Sequence, residues 1–406
     1  MENQLRAWLR YCIFFGVYLN ASNESANQTT PPPPSTLEAP RIQRNNQAWL
    51  ENTKAYSCNF FLQRFHVCFL LSTLCGLYIH GLYWRDYIPE LMLTWIAATM
   101  IFTSQVGTNF FIIMEAVCKR SQHEAFLVLL DEIEVALKLR LRQDVQPIAL
   151  VKNVRTSLLY LVTLSLLALG IFIVTSMWLN YIGYFWHGLW SILTMRVRII
   201  QLVIYVRTLR HYLECLCVKL RQIVAYRMAP EQRLLDIDYE KLESLEYLLA
   251  IKEIYALLHK AFQLLNNFAG WSLFSITVCY LFDFTCNMYW TLLSLDGYAR
   301  RRYYYIAGPA SMIPLIVIVG HLCYLCDNCK KLGHTVAHLL CKIMVTNSAK
   351  SLNSYRLVLY QFSSQLQLQC IEVTAQHFYA LEMHLLVTMF TAVSMNLVIL
   401  IQFLSS

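Results

Sequence analysis

Charge is scarce in this chain. Asp, Glu, Lys and Arg make up 14% of its 406 residues, against about 25% in a soluble domain, and 57% are hydrophobic. Several uncharged runs are longer than the roughly 20 residues that cross a bilayer, which excludes a soluble helical protein with a large core. Signatures of catalysis are missing as well. No Gly-rich phosphate loop, no His-Glu-x-x-His pair and no nucleophile elbow occurs, so the chain does not read as an enzyme and nothing implies a cofactor. The net charge of +8 is not gathered into a basic stripe interleaved with aromatics. It falls between the apolar runs, which suits membrane topology and excludes nucleic acid as a partner.

What is present is a series of spans. The runs 66–84 and 91–114 are the first and second, and 156–195 is too long for one crossing. It splits near 180–183 into a third and a fourth, the fourth continuing helically past Arg196 and Arg198. The fifth begins at 261, carries Asp283 and runs to about residue 293; the sixth is 303–326, with Pro309 and Pro314 placed to kink it; the seventh is 383–404. The expected class is an all-α membrane protein with seven transmembrane helices. Its 14 cysteines lie mostly in these spans or in inward loops, as small apolar fillers kept reduced.

Counting sets the orientation. With a cytosolic N-terminus, the inward segments 1–65, 117–155, 206–267 and 327–382 hold 27 of the 33 Lys and Arg, and the outward loops hold 4. The positive-inside rule then puts the C-terminus outside the cell, opposite to a G-protein-coupled receptor. Such a receptor is a rival reading, although the Asp-Arg-Tyr it often carries after the third span is missing. Three sequons, at Asn20, Asn23 and Asn27, point the other way, with little weight in an Asn/Ser-rich stretch. A transporter is a second rival, but no inverted repeat relates the two halves.

The domain organisation follows. Residues 1–60 form a cytosolic segment: an apolar run of nine residues, 11–19, then a disordered linker with Pro31–Pro34. The run reads either as a signal-peptide core or as an amphipathic helix lying on the membrane. Residues 61–326 hold the first six spans. The stretches 239–267 and 336–376 read as long helical arms projecting into the cytosol, the first with leucines at three- and four-residue steps.

Polar side chains inside a membrane are costly, so they mark cavities or partners. The candidates for a ligand pocket with aromatic walls are Gln105 and Asn109 in the second span, Trp178, Trp186 and His187 around the third-to-fourth turn, and Asp283, Asn287 and Trp290 in the fifth. Asp283 and Asn287 are four apart on one helix face. The membrane-interface belt explains about half of the aromatics; Asp283 and Asn287, inside the membrane, are harder to dismiss, with helix–helix hydrogen bonding as their alternative. His334 and His338, with Cys323, Cys326 and Cys329 upstream, have the donor types of a zinc site; boundary cysteines and solvated histidines explain them better, and no metal is expected.

The seventh span reaches Gln402-Phe403 after five aliphatics, three residues before the end. Four such helices around an axis would line a pore with Gln402 and gate it at Phe403, Ile399 or Leu400; alternatively Gln402 bonds a neighbouring helix. Composition leaves both open.

These residues carry a resemblance. Phe362-Ser363-Ser364-Gln365-Leu366, the stretch Thr374 to Leu381, and Leu397 to Phe403 resemble the C-terminal signature of insect gustatory receptors, TYhhhhhQF with h aliphatic. The hhhhhQF half is intact, and Met395-Asn396 stands where Thr-Tyr is usual. The resemblance implies a ligand-gated, non-selective cation channel in the plasma membrane of a sensory neuron. It implies a homo- or hetero-tetramer with other gustatory receptor subunits, sharing a cytosolic anchor at 327–382, with the seventh helix at 383–406 lining the pore. Gln402 and Phe403 take the place of the family's extracellular-side constriction. The ligand would be a small-molecule tastant. Sugar-sensing members usually carry Glu where Leu397 stands, which tilts the expectation toward a bitter one.

Overall fold

The computed structural model describes residues 8–9, 11–19, 62–83, 92–141, 147–178, 184–228, 244–295, 304–345 and 353–405. The helices are α1 (Leu62–Tyr83), α2 (Met92–Cys118), α3 (Arg120–Arg140), α4 (Pro147–Trp178), α5 (Tyr184–Met228), α6 (Leu245–Leu295), α7 (Tyr304–Val345), α8 (Asn353–Leu368) and α9 (Met383–Ser405). A two-stranded antiparallel hairpin, β1 (Thr374–Ala375) and β2 (Tyr379–Ala380), precedes α9. Seven helices, all but α3 and α8, are long and apolar enough to cross a membrane.

The 156–195 run breaks where its polar and small residues cluster: α4 ends at Trp178 and α5 begins at Tyr184. Helices α5, α6 and α7 have 45, 51 and 42 residues. At 1.5 Å per residue these are about 68, 77 and 63 Å long, roughly twice a hydrocarbon core of about 30 Å. Each therefore has length to project beyond a bilayer. The helix α7 continues through both Pro309 and Pro314.

The projecting ends pack on shorter amphipathic helices. One face of α3 buries His123, Phe126, Leu129, Leu130, Ile133 and Leu137 at helical spacing, and Val128, Val135 and Leu139 lie on the exposed side. Helix α8 buries Tyr355, Val358, Leu359, Phe362 and Leu366, with the Phe362 ring 5.8 Å from that of Tyr255 on α6. Side chains tie the layer together: Tyr255 donates to Gln369 O at 2.8 Å and Lys252 to Gln361 Oε1 at 3.1 Å. The expected single arm over 336–376 is instead α7's end, α8 and the hairpin, where Gln376 and His377 take positive φ and reverse the chain.

The N-terminal apolar run packs into the bundle through one side, leaving Tyr11 and Phe14 exposed. Cys12 and Val17 are fully buried in the main core, Phe15 stacks on Trp190 at 4.9 Å, and Tyr18 meets His123 edge-on at 4.9 Å. Gly16 makes the turn, with φ +69, and a Cβ there would stand 2.8 Å from Leu70 Cδ1. Nine apolar residues are too short to span, but a groove between helices covers them on more sides than an interface does. The proline-rich linker and its sequons lie outside the described residues. Most of the core is one cluster running from Leu9 to Leu397, with three small clusters beside it where α1, α2 and α6 meet their neighbours.

Candidate functional site

Helix α9 has two opposed stripes. Met389, Val393 and Leu397 are buried, and Leu385 and Leu400 pack half-buried against the same core. At 100° per residue the opposite side carries His384, Thr388, Thr391, Met395, Val398 and Gln402, all exposed in the single chain. The hydroxyls are satisfied within the helix: Thr388 donates to His384 O at 3.1 Å and Thr391 to Val387 O at 2.9 Å. Ile399 is exposed at the stripe's edge, whereas Leu400 faces the bundle, away from Gln402. The side chain of Phe403 lies outside the described residues.

The ligand candidates fall into two groups. The first joins α1, α2 and α5. Asn109, fully buried, donates to Ser191 Oγ at 3.3 Å, Gln105 Oε1 lies against Gly188, and His187 Nε2 meets His80 Nδ1 at 2.8 Å. Tyr78, 3.2 Å from Thr103 Oγ1, stacks on Phe102 beside them. The second group sits on α6: Asn287 donates to Asp283 Oδ1 at 2.9 Å, and Trp290 packs on Ala97 and Ile101 of α2. Trp186 is partly exposed at the start of α5, and the side chain of Trp178 is outside the described residues. A cavity of about 20 Å³, roughly one water, lies between α5, α6, α7 and α9, lined by Thr277, Tyr280 and Cys323 among others.

The metal-type residues face apart. Cys323, Cys326 and Cys329 are buried, while His334 and His338 are exposed, and no group of three potential metal ligands occurs among the described residues.

Sequence reasoning missed the centre of the polar interior. Glu115 at the end of α2 and Arg198 on α5 pair at 3.3 Å with side chains 2% and 1% exposed. Both reach α6. Glu115 accepts from Trp271 N at 2.9 Å, from Ser272 N at 3.0 Å and from the Ser272 hydroxyl. Arg198 donates to Phe268 O at 2.9 Å and to Gln201 Oε1 at 2.8 Å. The network continues through Tyr205, 3.2 Å from Gln201 Nε2, to His123 Nε2 at 2.7 Å. Burial, then the charge of Arg198, holds the His123 imidazole well below its usual range, so it is neutral. Burial likewise pushes the Cys12 thiol up to about 12, with Arg198 opposing. The available signal was a lone carboxylate, Glu115, near the inner edge of one apolar run and the arginine pair Arg196 and Arg198 at the edge of another.

The comparisons agree with this architecture. The profile of the family described as 7tm chemosensory receptor matches residues 5–405. The chain is 28% identical over 247 residues to putative gustatory receptor 39b of Drosophila melanogaster, covering 59% of this chain and 67% of that protein. It is 30% identical over 154 residues to gustatory receptor 23a of the same fly, covering 38% and 40%. The solved insect olfactory receptor OR5 of Machilis hrabei in complex with eugenol superposes with a TM-score of 0.67 at 10% identity, over 98% of this chain and 99% of that one. A second structure of the same receptor gives 0.55 over the same shares. A receptor rather than an enzyme, with a seven-span helical fold and gustatory receptors as its relatives, the chain belongs to the insect gustatory receptors of the 7tm chemosensory receptor family.

Proposed function

We propose that the protein is a subunit of a ligand-gated, non-selective cation channel, a homo- or hetero-tetramer whose α9 helices line the pore. The carrying observation is the pair of stripes on α9. One seals against the bundle, and the other presents Thr388, Thr391 and Gln402 outward from a helix that is otherwise apolar. An exposed polar stripe on an otherwise apolar span suits contact with water or other subunits better than contact with hydrocarbon. Four copies around an axis supply both. Val398 and Ile399 then form the dewetting constriction beside Gln402 and Phe403.

The orientation has the N-terminus in the cytosol and the C-terminus outside, by the excess of Lys and Arg in the inward segments. His187 then lies on the outer side, from which a small organic ligand arrives, and Gln105 and Asn109, from the middle of the membrane inward, form the floor of its pocket. Eugenol in the olfactory receptor complex is an example of such a ligand. The ligand here is a tastant, bitter rather than sweet, sensed at the plasma membrane of a sensory neuron. It opens the channel by the difference in its affinity for the open and closed states.

The test is whole-cell current from cells expressing the protein, alone and with other gustatory receptor subunits, during exposure to a tastant panel with G-protein signalling blocked. A rapid cation current whose permeability ratios change in Gln402→Ala supports the reading. A response abolished by the G-protein block, with no direct current, overturns it.

A further inference from the structure

One stretch of α6 is gripped from two sides. On the first side stands the Glu115–Arg198 pair. In a regular helix the Ser272 N–H and the Phe268 carbonyl are the two ends of one i to i−4 hydrogen bond. Here the carboxylate of Glu115 accepts from the Ser272 N–H at 3.0 Å, and the guanidinium of Arg198 donates to the Phe268 carbonyl at 2.9 Å. An ion pair from α2 and α5 is thus set across a single backbone step of α6. On the other side sits the hairpin that leads into α9. Asn266 accepts from Thr374 N at 3.0 Å and donates to Glu372 O at 3.0 Å. At Gly270, the absence of a side chain lets the Gln376 backbone approach; a Cβ would stand 2.9 Å from its nitrogen. The Phe378 ring packs on Trp271 and Phe274 at 6.3 and 5.1 Å. The hairpin closes through Leu381 N to Val373 O at 2.8 Å, and α9 starts two residues later.

We propose that Glu115 and Arg198 are positioning residues for the seventh helix: they fix the 266–274 stretch of α6, and that stretch fixes the hairpin from which α9 departs. This rests on the channel reading for its functional consequence. Both groups extend helices that carry ligand candidates. Glu115 lies six residues beyond Asn109 on α2, and Arg198 lies eleven beyond His187 on α5. A ligand that shifts α2 against α5 therefore pulls the two charges apart or lets them close. In a dry site they cannot separate without releasing the α6 backbone groups they hold. That release is the step transmitted to the hairpin.

The experiment is hydrogen exchange by mass spectrometry on the purified full-length protein, comparing the wild type with Glu115→Gln, Arg198→Lys and Gly270→Ala. Glu115→Gln keeps the shape and removes the charge; Arg198→Lys keeps the charge and removes the fork. Gly270→Ala disturbs the docking from the hairpin side. The expected result is several-fold faster exchange of peptides covering 372–381 in all three, although neither charged side chain bonds that segment, with α8 unchanged. Faster exchange confined to 266–274, or spread evenly over the chain, overturns the proposal. Where Glu115→Gln does not yield folded protein, Arg198→Lys and Gly270→Ala decide alone. Currents separate the two readings. A hairpin that loosens in a protein passing no direct current leaves the coupling standing and removes the channel. A wild-type current with an unaltered hairpin in every variant does the reverse.

Discussion

Gly270 and Gln376 touch where no other residue than glycine fits: a Cβ on Gly270 would stand 2.6 Å from Gln376 Oε1 and 2.9 Å from its backbone nitrogen. The side-chain oxygen can swing away, but the backbone belongs to a hairpin pinned by Asn266 on one side and Phe378 on the other. Gly270→Ala is therefore expected to cost about 1–3 kcal/mol, the usual range for overpacking. Gly107→Ala on α2, whose Cβ meets nothing within 4 Å, is the matched control and is expected to be neutral or mildly stabilising. Melting temperatures in detergent compare the two. Equal melting of both variants would mean that the hairpin is free to lift.

The Glu115–Arg198 pair predicts a different pattern. Removing one member leaves a dry, uncompensated charge, so Glu115→Ala and Arg198→Ala should each cost about 3–5 kcal/mol. Both side chains are 2% exposed or less, and screening does not soften this. The double replacement Glu115→Ala with Arg198→Ala is expected to be less destabilising than the sum of the two singles, because no net charge remains buried. Thermal unfolding of the four proteins checks this, and strict additivity would remove the coupling.

Much of the fold was legible because the membrane sets its lengths. Apolar runs of span length gave the seven helices, and the polar break at 180–183 fell between Trp178 and Tyr184, where α4 ends and α5 begins. Long-range pairing was not legible. Glu115 and Arg198 are 83 residues apart, and nothing local in either helix announces the other. The strands β1 and β2 have two residues each, too few for any alternation to register. The run 11–19 has the composition of a leader, a surface helix or a buried plug alike; only its partners, Trp190 and His123, distinguish them. Leu400 is a subtler case. The two stripes of α9 were present in the residue spacing, but both are mainly apolar, and contacts with the core decide that Leu400 turns inward while Ile399 and Gln402 do not.

His123 predicts an acid-side loss of stability. Its ring lies 4.3 Å from that of Phe268, nearly parallel, and its Nε2 is 2.7 Å from the Tyr205 hydroxyl. Burial and Arg198 lower its folded-state pKa well below the ordinary 6.5. Below about pH 6.5 the unfolded chain takes up a proton that the fold refuses, so stability is intact above that pH and falls as pH drops toward the lowered value. The slope contributed by this one group is at most about 1.4 kcal/mol per pH unit. His123→Gln removes the titration and keeps a polar partner for Tyr205. Melting temperatures of the purified protein between about pH 7 and pH 5 should fall more steeply in the wild type than in the variant. Parallel profiles would show His123 protonating as freely folded as unfolded.

The stripes of α9 make a prediction that depends on angle rather than composition. If the exposed stripe lines an aqueous path, single cysteines at Thr391, Met395 and Val398 should react with a charged, water-soluble thiol reagent and reduce the current. Cysteines at Met389, Val393 and Leu397, each buried against the bundle, should not react. The two sets interleave along the same three turns, so depth in the membrane is matched and only the facing differs. Exposed native thiols such as Cys68, Cys75 and Cys118 give a background that the unsubstituted protein measures directly. Reaction at Met395 and Val398 with no effect on current would put the exposed stripe against a water-filled crevice outside the pore. Equal reaction at both sets would mean that α9 leaves the bundle altogether. The three-and-four alternation is expected, strongest at Thr391, where the native hydroxyl is satisfied by Val387 O and substitution leaves no orphaned partner.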